Sequence, residues 1–206
     1  MRKQGEGVCA VVLAAGRSSR YRAVNDQDKL LAPSLSDAHS PPVIGATLTT
    51  LQGIAERTVV VVDHNNGRLC QWLQANASRL RIEVFAVGSR GLGHSLSQAV
   101  ARFPARRGWL VALADMPYVR EDTLCKLAAA IDESSLVAPV FDGRRGHPRG
   151  IGTRHWGALL ELEGDLGAQE LFRHEPVIEI SAGDPGVLQD IDEPQDRRSI
   201  GRDELG

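Results

Sequence analysis

Residues 8–20 read Val-Cys-Ala-Val-Val-Leu-Ala-Ala-Gly-Arg-Ser-Ser-Arg, and this stretch decides the fold. An apolar run of this length, rich in valine, is typical of a strand covered on both faces, as in a parallel sheet. Such sheets bind ligands in the crevice beyond the carboxyl ends of their strands. The small residues 14–16 let a ligand approach the backbone, and the guanidinium groups of Arg17 and Arg20 suit a polyphosphate. The alternative is a surface turn with two solvated arginines.

The composition is that of an ordinary globular protein. With 206 residues, 42% hydrophobic and 24% charged, the chain can bury a substantial core, and we expect a single domain over residues 1–206. A net charge of −2 excludes a general attraction to nucleic acid or to an anionic membrane. Cys9, Cys70 and Cys125 are far apart and form no Cys-x-x-Cys pair, which favours a reducing compartment. The polar N-terminus precedes an apolar run too short for a signal peptide or a membrane span, so we expect a cytoplasmic protein.

Strand and helix patterns alternate along the whole chain. Their connections are too long for hairpins, which predicts a three-layer, Rossmann-like α/β fold with a mainly parallel sheet and right-handed crossovers. Residues 21–42 are instead polar and irregular, and a loop of this length is more often functional or mobile than idle. Further strands are predicted at 58–62, 82–87, 109–114, 136–140, 177–180 and 187–191, and helices at 43–54, 67–77, 96–103, 120–132, 154–163 and 166–174.

The usual nucleotide and hydrolase motifs are absent from the sequence. No Gly-x-x-x-x-Gly-Lys-Ser/Thr string occurs, and the first strand is followed by one glycine rather than by Gly-x-Gly-x-x-Gly. Neither His-Glu-x-x-His nor Gly-x-Ser-x-Gly is present. A P-loop enzyme, a dinucleotide-dependent dehydrogenase of the usual kind, a zinc peptidase and a serine hydrolase are therefore not indicated.

Polar residues follow several of the predicted strands, at the edge where the carboxyl ends of parallel strands meet. Asp115 comes directly after a buried strand, and an acid in this position is a natural ligand for Mg²⁺. Asp192, or with less support Asp190, is the candidate for a second acid. Basic groups on one wall and acids on the other are typical of a nucleoside triphosphate site.

Each candidate also has a plainer interpretation. Asp115 suits a helix cap, and acids such as Asp190 and Asp192 commonly begin turns. His147 suits an ordinary loop histidine. The three tryptophans have apolar neighbours and are expected in the core rather than against a ligand.

Six motifs and a lysine that follows the first of them resemble, in the same order, those of the molybdenum cofactor cytidylyltransferases, which belong to the larger MobA-like nucleotidyltransferase superfamily. They are LAAGRSSR, the later Lys29, GLGHSLSQAV, LADMP, GHP, GDLGAQELF and DIDEPQD, and they span nearly the whole chain. The resemblance implies an Mg²⁺-dependent enzyme that transfers CMP from CTP to the phosphate of the molybdenum–pterin cofactor and releases pyrophosphate. The chain departs from the family pattern where Tyr21-Arg22 follows Arg20, and where Arg149-Gly150-Ile151 follows Gly-His-Pro.

The resemblance also implies roles for particular residues. Arg17, Lys29 and Asp115 are expected to carry catalysis, and Asp115 is expected to hold Mg²⁺ with Asp192 or Asp190. The acceptor is expected beside His147 and Pro148. The nucleotide is expected to bind Leu13, Ala14, Ala15, Gly16, Arg17, Arg20 and Lys29, with Gly91, Gly93 and Ser95 against the nucleoside.

The implied chemistry is an in-line attack of the acceptor phosphate on the α-phosphorus of the nucleotide. A phosphate monoester is largely dianionic at neutral pH, so no general base is required. Two alternatives stay open: transfer from GTP or to another small phosphate acceptor such as a sugar or polyol phosphate, and a nucleotide-binding carrier or regulator without turnover. A recipient molybdoenzyme or chaperone is a further expected partner; nucleic acid and membrane are not.

Overall fold

A computed structural model describes residues 5–16, 28–165 and 167–198 of the chain. The predicted phosphate-binding residues Arg17 and Arg20 lie outside these residues. The helices that it describes are α1 (Val43–Thr50), α2 (Gly67–Leu80), α3 (Leu92–Arg102), α4 (Glu121–Ala130), α5 (Trp156–Leu160) and α6 (Gln169–His174). The strands are β1 (Val8–Ala14), β2 (Arg57–Asp63), β3 (Glu83–Val87), β4 (Gly108–Leu113), β5 (Leu136–Phe141), β6 (Arg144–Arg145), β7 (Arg149–Gly152) and β8 (Ile178–Ser181). None of the helices in this part of the chain is long and apolar enough to cross a membrane.

The strand predicted from the opening stretch lies at the centre of the sheet. The strand order is β3-β2-β1-β4-β7-β5-β6, with β8 beside β5, and β1 is parallel to both β2 and β4. All seven residues of β1 are buried, as expected for a strand with helices on both faces. The predicted α/β fold with a mainly parallel sheet is confirmed.

Alternate residues of β1 contribute to two separate hydrophobic clusters, one on each face of the sheet. Ala10, Val12 and Ala14 pack with α1, α2 and α4 on one face. Val11 and Leu13 pack with α3, α5 and α6 on the other. The chain therefore has three layers, and the carboxyl ends of β1 and β4 lie together at one edge of the middle layer.

Two strands, β6 and β7, were not predicted, and one predicted strand does not form. β7 lies between β4 and β5 and runs antiparallel to both, in a segment that the sequence indicates as a loop. Its sequence Arg-Gly-Ile-Gly has a weak strand pattern, but a side chain at Gly150 would place Cβ 2.6 Å from Ile131 Cγ1, so glycine is required there. The strand predicted at 187–191 does not form: its first two residues end a short 3₁₀ helix, Pro185–Leu188, whose first turn Asp184 caps, and the residues after it are irregular.

Several helix boundaries also differ from the prediction. α3 begins at Leu92 rather than at 96, because Gly91 takes a φ of 129° and turns the chain directly into the helix. The helices predicted at 154–163 and 166–174 are shorter, and the first begins as the 3₁₀ turn Thr153–His155. The core prediction holds for Trp109, but Trp156 is 47% exposed because it lies on the outer side of a short helix.

Candidate nucleotide and metal site

The end of β1 opens onto the crevice as expected. Leu13, Ala14 and Ala15 are buried, whereas Gly16 is exposed at the end of the described segment. A Cβ atom at Gly16 would meet no atom of the described residues within 4 Å, so their packing does not require glycine. The open space leaves the backbone accessible, which suits the close approach of a ligand.

Lys29 is fixed by a network that begins with the residue before it. The Asp28 carboxylate accepts hydrogen bonds from the Leu30 backbone N–H, at 3.0 Å, and from the Asn66 side-chain amide, at 2.6 Å. Asn66 in turn caps α2 by accepting from the Leu69 backbone N–H. The short 3₁₀ turn that carries Lys29 is thus tied to the helix that follows β2, and the lysine side chain points inward.

The Lys29 ammonium group joins two of the predicted metal ligands. Its Nζ atom lies 2.8 Å from Asp115 Oδ2 and 3.0 Å from Asp192 Oδ1. One carboxylate oxygen from each of Asp115, Asp190 and Asp192 lies within 4.8 Å of the others. Residues separated by up to 163 positions in the sequence therefore meet at the end of β4.

Backbone contacts explain why these acids meet. Thr47 of α1 donates a hydrogen bond of 3.0 Å to the Ala114 carbonyl and holds the chain as it leaves β4. The next carbonyl, that of Asp115, accepts from the backbone N–H of Ile191 at 2.9 Å. Ile191 is fully buried between Asp190 and Asp192, so its burial anchors both acids at the site.

The charges in the cluster shift its pKa values. Burial alone would lower the pKa of Lys29, but the charges and hydrogen bonds of Asp115 and Asp192 outweigh it and raise that pKa above its ordinary value. Partial desolvation raises the pKa of Asp190, and the neighbouring Asp192 and Asp115 carboxylates raise it further. Three carboxylates that repel each other and have one ammonium group beside them keep excess negative charge, which is suited to binding a divalent cation.

The glycine-rich loop before α3 is packed against a second loop. The Gly93 backbone N–H donates a 2.8 Å hydrogen bond to the Gly164 carbonyl, and a Cβ atom at Gly91 would lie 2.3 Å from that carbonyl oxygen. Ser95 is fully buried, and its hydroxyl group contacts the Gly91 carbonyl and the Ser89 hydroxyl, each at 2.9 Å. Ser95 thus supports the loop from beneath, and its contact with a nucleoside stays a prediction.

A cavity of about 130 Å³ lies on the α3 and α6 face, next to the ends of β1 and β4. Leu13, Leu113 and Phe172 form part of its apolar wall, and His147 and Arg149 are among its polar residues. Burial, and then the nearby Arg149 charge, lower the pKa of His147 to about 4, so the imidazole is neutral at pH 7.

Pro148 lines a different cavity from His147. It is buried beside a cavity of about 10 Å³ that Thr47, Met116 and Leu124 also line. Of the predicted acceptor pair, only His147 therefore borders the larger cavity.

The structure thus brings together Lys29, Asp115, Asp190 and Asp192, and places Gly16, Leu13 and His147 along the same edge of the sheet. The sequence reasoning assigned no role to Asp28 and Asn66, which position Lys29, or to Arg149 and Phe172 in the cavity wall. Asp28 could have been found from its residue type, because an aspartate in a polar loop commonly accepts a hydrogen bond from the backbone N–H two residues further on.

A mainly parallel α/β sheet with clustered carboxylates and a buried lysine at its carboxyl edge is typical of proteins that bind a phosphate-bearing ligand together with a divalent cation. The chain belongs to the MobA-like NTP transferase domain family, whose match covers residues 10–179. The resemblance to this superfamily is thereby confirmed.

Among curated relatives, the bifunctional protein GlmU of Marinobacter nauticus is 29% identical over 151 residues, which are 73% of this chain and 32% of that protein. The chain therefore spans about a third of the length of GlmU. The nicotine blue oxidoreductase of Paenarthrobacter nicotinovorans is 28% identical over 195 residues, which are 90% of this chain and 92% of that protein.

A crystal structure of Rv0371c from Mycobacterium tuberculosis H37Rv, solved as a complex with manganese, superimposes with a TM-score of 0.70. It is 26% identical, and the match covers 92% of this chain and 95% of that one. A divalent cation thus accompanies the same fold in a related protein.

Proposed function

We propose that this protein is a nucleotidyltransferase that transfers CMP from CTP to the phosphate of the molybdenum–pterin cofactor and releases pyrophosphate. The observation that carries the proposal is the cluster of Asp115, Asp190 and Asp192 around the Lys29 ammonium, next to the open backbone at Gly16. Family membership supports a nucleoside triphosphate as the donor. The motif LAAG and the complete series of motifs support CTP and the pterin acceptor.

The three carboxylates fit a divalent cation. They offer an oxygen each within 4.8 Å of one another, and hard cations such as Mg²⁺ prefer carboxylate oxygen ligands together with phosphate oxygens and water. When bound, Mg²⁺ would neutralise charge on the phosphates of the nucleotide. Asp115 and Asp192 are the principal ligands in this proposal, and Asp190 completes the set.

The side chains of the protein bind and align two anions that repel each other. Lys29 stands beside the acids, so its ammonium group stabilises the negative charge that develops on the leaving pyrophosphate. Gly16 leaves room for the triphosphate to approach the β1 backbone, and Arg17 and Arg20 hold the phosphates in the proposal. Most of the rate enhancement comes from alignment and charge stabilisation.

The acceptor side needs no general base. Its phosphate is already a nucleophile at neutral pH, and His147 is neutral there, so it orients the acceptor by hydrogen bonding without adding charge. The acceptor ring would lie in the cavity beside Leu13 and Phe172.

Pyrophosphate release is the direct test. The purified protein is incubated with CTP, GTP, ATP or UTP, with Mg²⁺ or EDTA, and with the molybdenum–pterin cofactor or a sugar or polyol phosphate. We expect release only with Mg²⁺, with CTP preferred and with the pterin acceptor. Release that requires GTP would replace the assignment of CTP as the donor, and release only with a sugar or polyol phosphate would replace the pterin acceptor. Tight nucleotide binding without any release of pyrophosphate would indicate a carrier.

Asp115→Asn provides the matched variant for this assay. It keeps the shape of the side chain and removes one charge at the site, so we expect turnover to fall by roughly 10²-fold or more. Glu83→Gln removes a charge at the start of β3, at the opposite edge of the sheet, where Glu83 forms an exposed ion pair with Arg57. Its turnover is expected to match that of the wild type.

The near full-length match to nicotine blue oxidoreductase favours an oxidoreductase as the second candidate. Oxidation of NADH or NADPH in the presence of nicotine blue, followed by absorbance, tests it. We expect no oxidation above background, in keeping with the missing Gly-x-Gly-x-x-Gly fingerprint. Steady oxidation that needs both reactants would favour the second candidate.

A further inference from the structure

Among the residues that the structure describes, the cavity wall contains one arginine, Arg149, and one carboxylate, Asp165, and the two form no ion pair. The guanidinium carbon of Arg149 lies 4.8 Å from the centre of the Phe172 ring, and its Nε–H donates one long hydrogen bond, 3.3 Å, to the Gly146 carbonyl. Within the described residues, no carboxylate forms an ion pair with it. Burial, and then the charge of Arg145, lower the pKa of Arg149. Keeping a partly buried charge without a counter-ion is costly, so a ligand anion is the natural partner.

Two further arginines lie beside Arg149 at a second opening, of about 240 Å³, that Phe172 and Gln169 also border. Arg145 is neutralised by Glu179, at 2.7 Å, and is held by the Phe172 carbonyl. Arg173 pairs with Glu170. The three arginines at this opening thus have two carboxylate partners between them. The remaining positive charge is that of Arg149.

The position of Arg149 along the sheet separates it from the metal ligands. It pairs with Val111 of β4, and Asp115 lies four residues further along the chain. The two sites also pack on different faces of the sheet. Arg149 stacks on Phe172, in the cluster with α3, α5 and α6. Ala114, next to Asp115, belongs to the cluster with α1, α2 and α4. A single phosphate that meets the acid cluster is therefore too small to be the group that Arg149 binds.

From this separation we infer that Arg149 binds a second anionic group of the acceptor, distinct from the phosphate that attacks the nucleotide. The acceptor would lay an apolar ring against Leu13, Leu113 and Phe172, with its second anion in the guanidinium fork. This inference rests on the proposed function and names the chemical class of its acceptor: a ring compound with two separate anionic groups.

Binding of a matched pair of fluorescent probes tests the inference without turnover. Pterin-6-carboxylate carries an anionic group on the ring, and pterin does not. We expect the wild type to bind the carboxylate probe more tightly, by roughly ten- to a hundredfold in Kd, the range for a hydrogen-bonded charge pair. Added salt should weaken binding of pterin-6-carboxylate and leave that of pterin unchanged.

Arg149→Gln should abolish this preference, and Arg149→Lys should restore part of it because the charge returns without the fork. Arg154→Gln is the matched control, since Arg154 is exposed just beyond the other end of β7. The thermal shift produced by CTP and Mg²⁺ should be unchanged in all three variants, provided that their circular dichroism spectra match that of the wild type.

Equal binding of the two probes by the wild type would overturn the inference, and so would a preference that survives in Arg149→Gln. A CTP shift lost in Arg149→Gln would place Arg149 in the nucleotide site and would also overturn it. If Arg149→Gln does not fold, the salt dependence of the wild type and the behaviour of Arg149→Lys decide. Loss of pyrophosphate release with intact probe selectivity would refute the proposed function alone.

Discussion

Replacement of Lys29 by methionine is the sharpest test of how the site is assembled. Methionine keeps the length and apolar stem of the side chain but removes the ammonium group that lies between Asp115 and Asp192. The lysine side chain is 8% exposed, whereas those of Asp115 and Asp192 are 21% and 40% exposed. Lys29→Met therefore leaves two carboxylates close together, partly desolvated and without their cation.

The expected loss of stability follows from this burial. Breaking a fully buried pair costs about 3–5 kcal/mol, and an exposed pair contributes about 0–1 kcal/mol. The site lies between these limits, so we expect Lys29→Met to lower the free energy of unfolding by about 1–3 kcal/mol. For a chain of this size, each kcal/mol shifts Tm by about 2–4 °C, so Tm should fall by about 2–12 °C.

A divalent cation should recover part of this loss. In the wild type the ammonium group neutralises part of the charge of the acids, but in Lys29→Met the site is more negative, so Mn²⁺ should raise Tm more in the variant than in the wild type. Differential scanning fluorimetry with Mn²⁺ or with EDTA measures both effects.

Lys126→Met is the control for these melting curves. Lys126 is 56% exposed and lies 3.5 Å from Asp122, so its Tm and its response to Mn²⁺ should match those of the wild type. The reasoning fails if Lys29→Met melts like the wild type, or if Mn²⁺ raises the Tm of both proteins equally.

Three other predictions follow from single contacts. The pKa of His147 is lowered from 6.5 to about 4, so as the pH falls the unfolded chain takes up a proton before the folded protein does. The free energy of unfolding should therefore decrease as the pH is lowered from about 6.5 to 4, and urea titrations should show a smaller decrease in His147→Asn. Gly91→Ala should destabilise by roughly 1–3 kcal/mol, given its φ of 129° and the close Gly164 carbonyl, whereas Gly157→Ala, with open space around it, should leave Tm unchanged or higher; equal effects would contradict the packing. Asp184→Ala removes a buried carboxylate that accepts hydrogen bonds from two backbone N–H groups and a hydroxyl, so denaturant unfolding should show a loss of roughly 3 kcal/mol, and a loss near zero would contradict this account.

The part of the site built on parallel strands was predictable from the sequence. Asp115 follows a buried strand, and parallel strands bring their carboxyl ends to one edge whatever the length of the loops between them. Asp192 was expected at the same edge because a strand was predicted at 187–191. Asp192 does lie at this edge, but the described residues directly before it form no strand. The backbone hydrogen bond between Ile191 and Asp115 brings it there instead.

The part that depends on long-range packing was not predictable. β7 contains two glycines in four residues, and their role becomes visible only against Ile131 and the neighbouring strands. Because β7 is antiparallel, its first residue rather than its last lies towards the carboxyl edge, which places Arg149 in the cavity wall. Local sequence patterns carry no information on such an insertion.

The position of Lys29 in the site is determined by a hydrogen-bond network. It lies in a polar, irregular segment whose composition indicates only a loop. Asp28 and Asn66 fix the short turn, and the two acids then hold the ammonium group. The partners come from three distant segments, so only the folded chain reveals them.

Binding of Mn²⁺ is the measurement that tests the central claim most directly. The claim is that Asp115, with Asp190 and Asp192, holds a divalent cation together with a nucleoside triphosphate. Electron paramagnetic resonance counts the Mn²⁺ that remains free as protein is added, with and without CTP. We predict that the wild type binds Mn²⁺, more tightly with CTP, and that Asp115→Asn loses most of this binding while Glu83→Gln keeps it. Equal binding by Asp115→Asn and the wild type would contradict the claim.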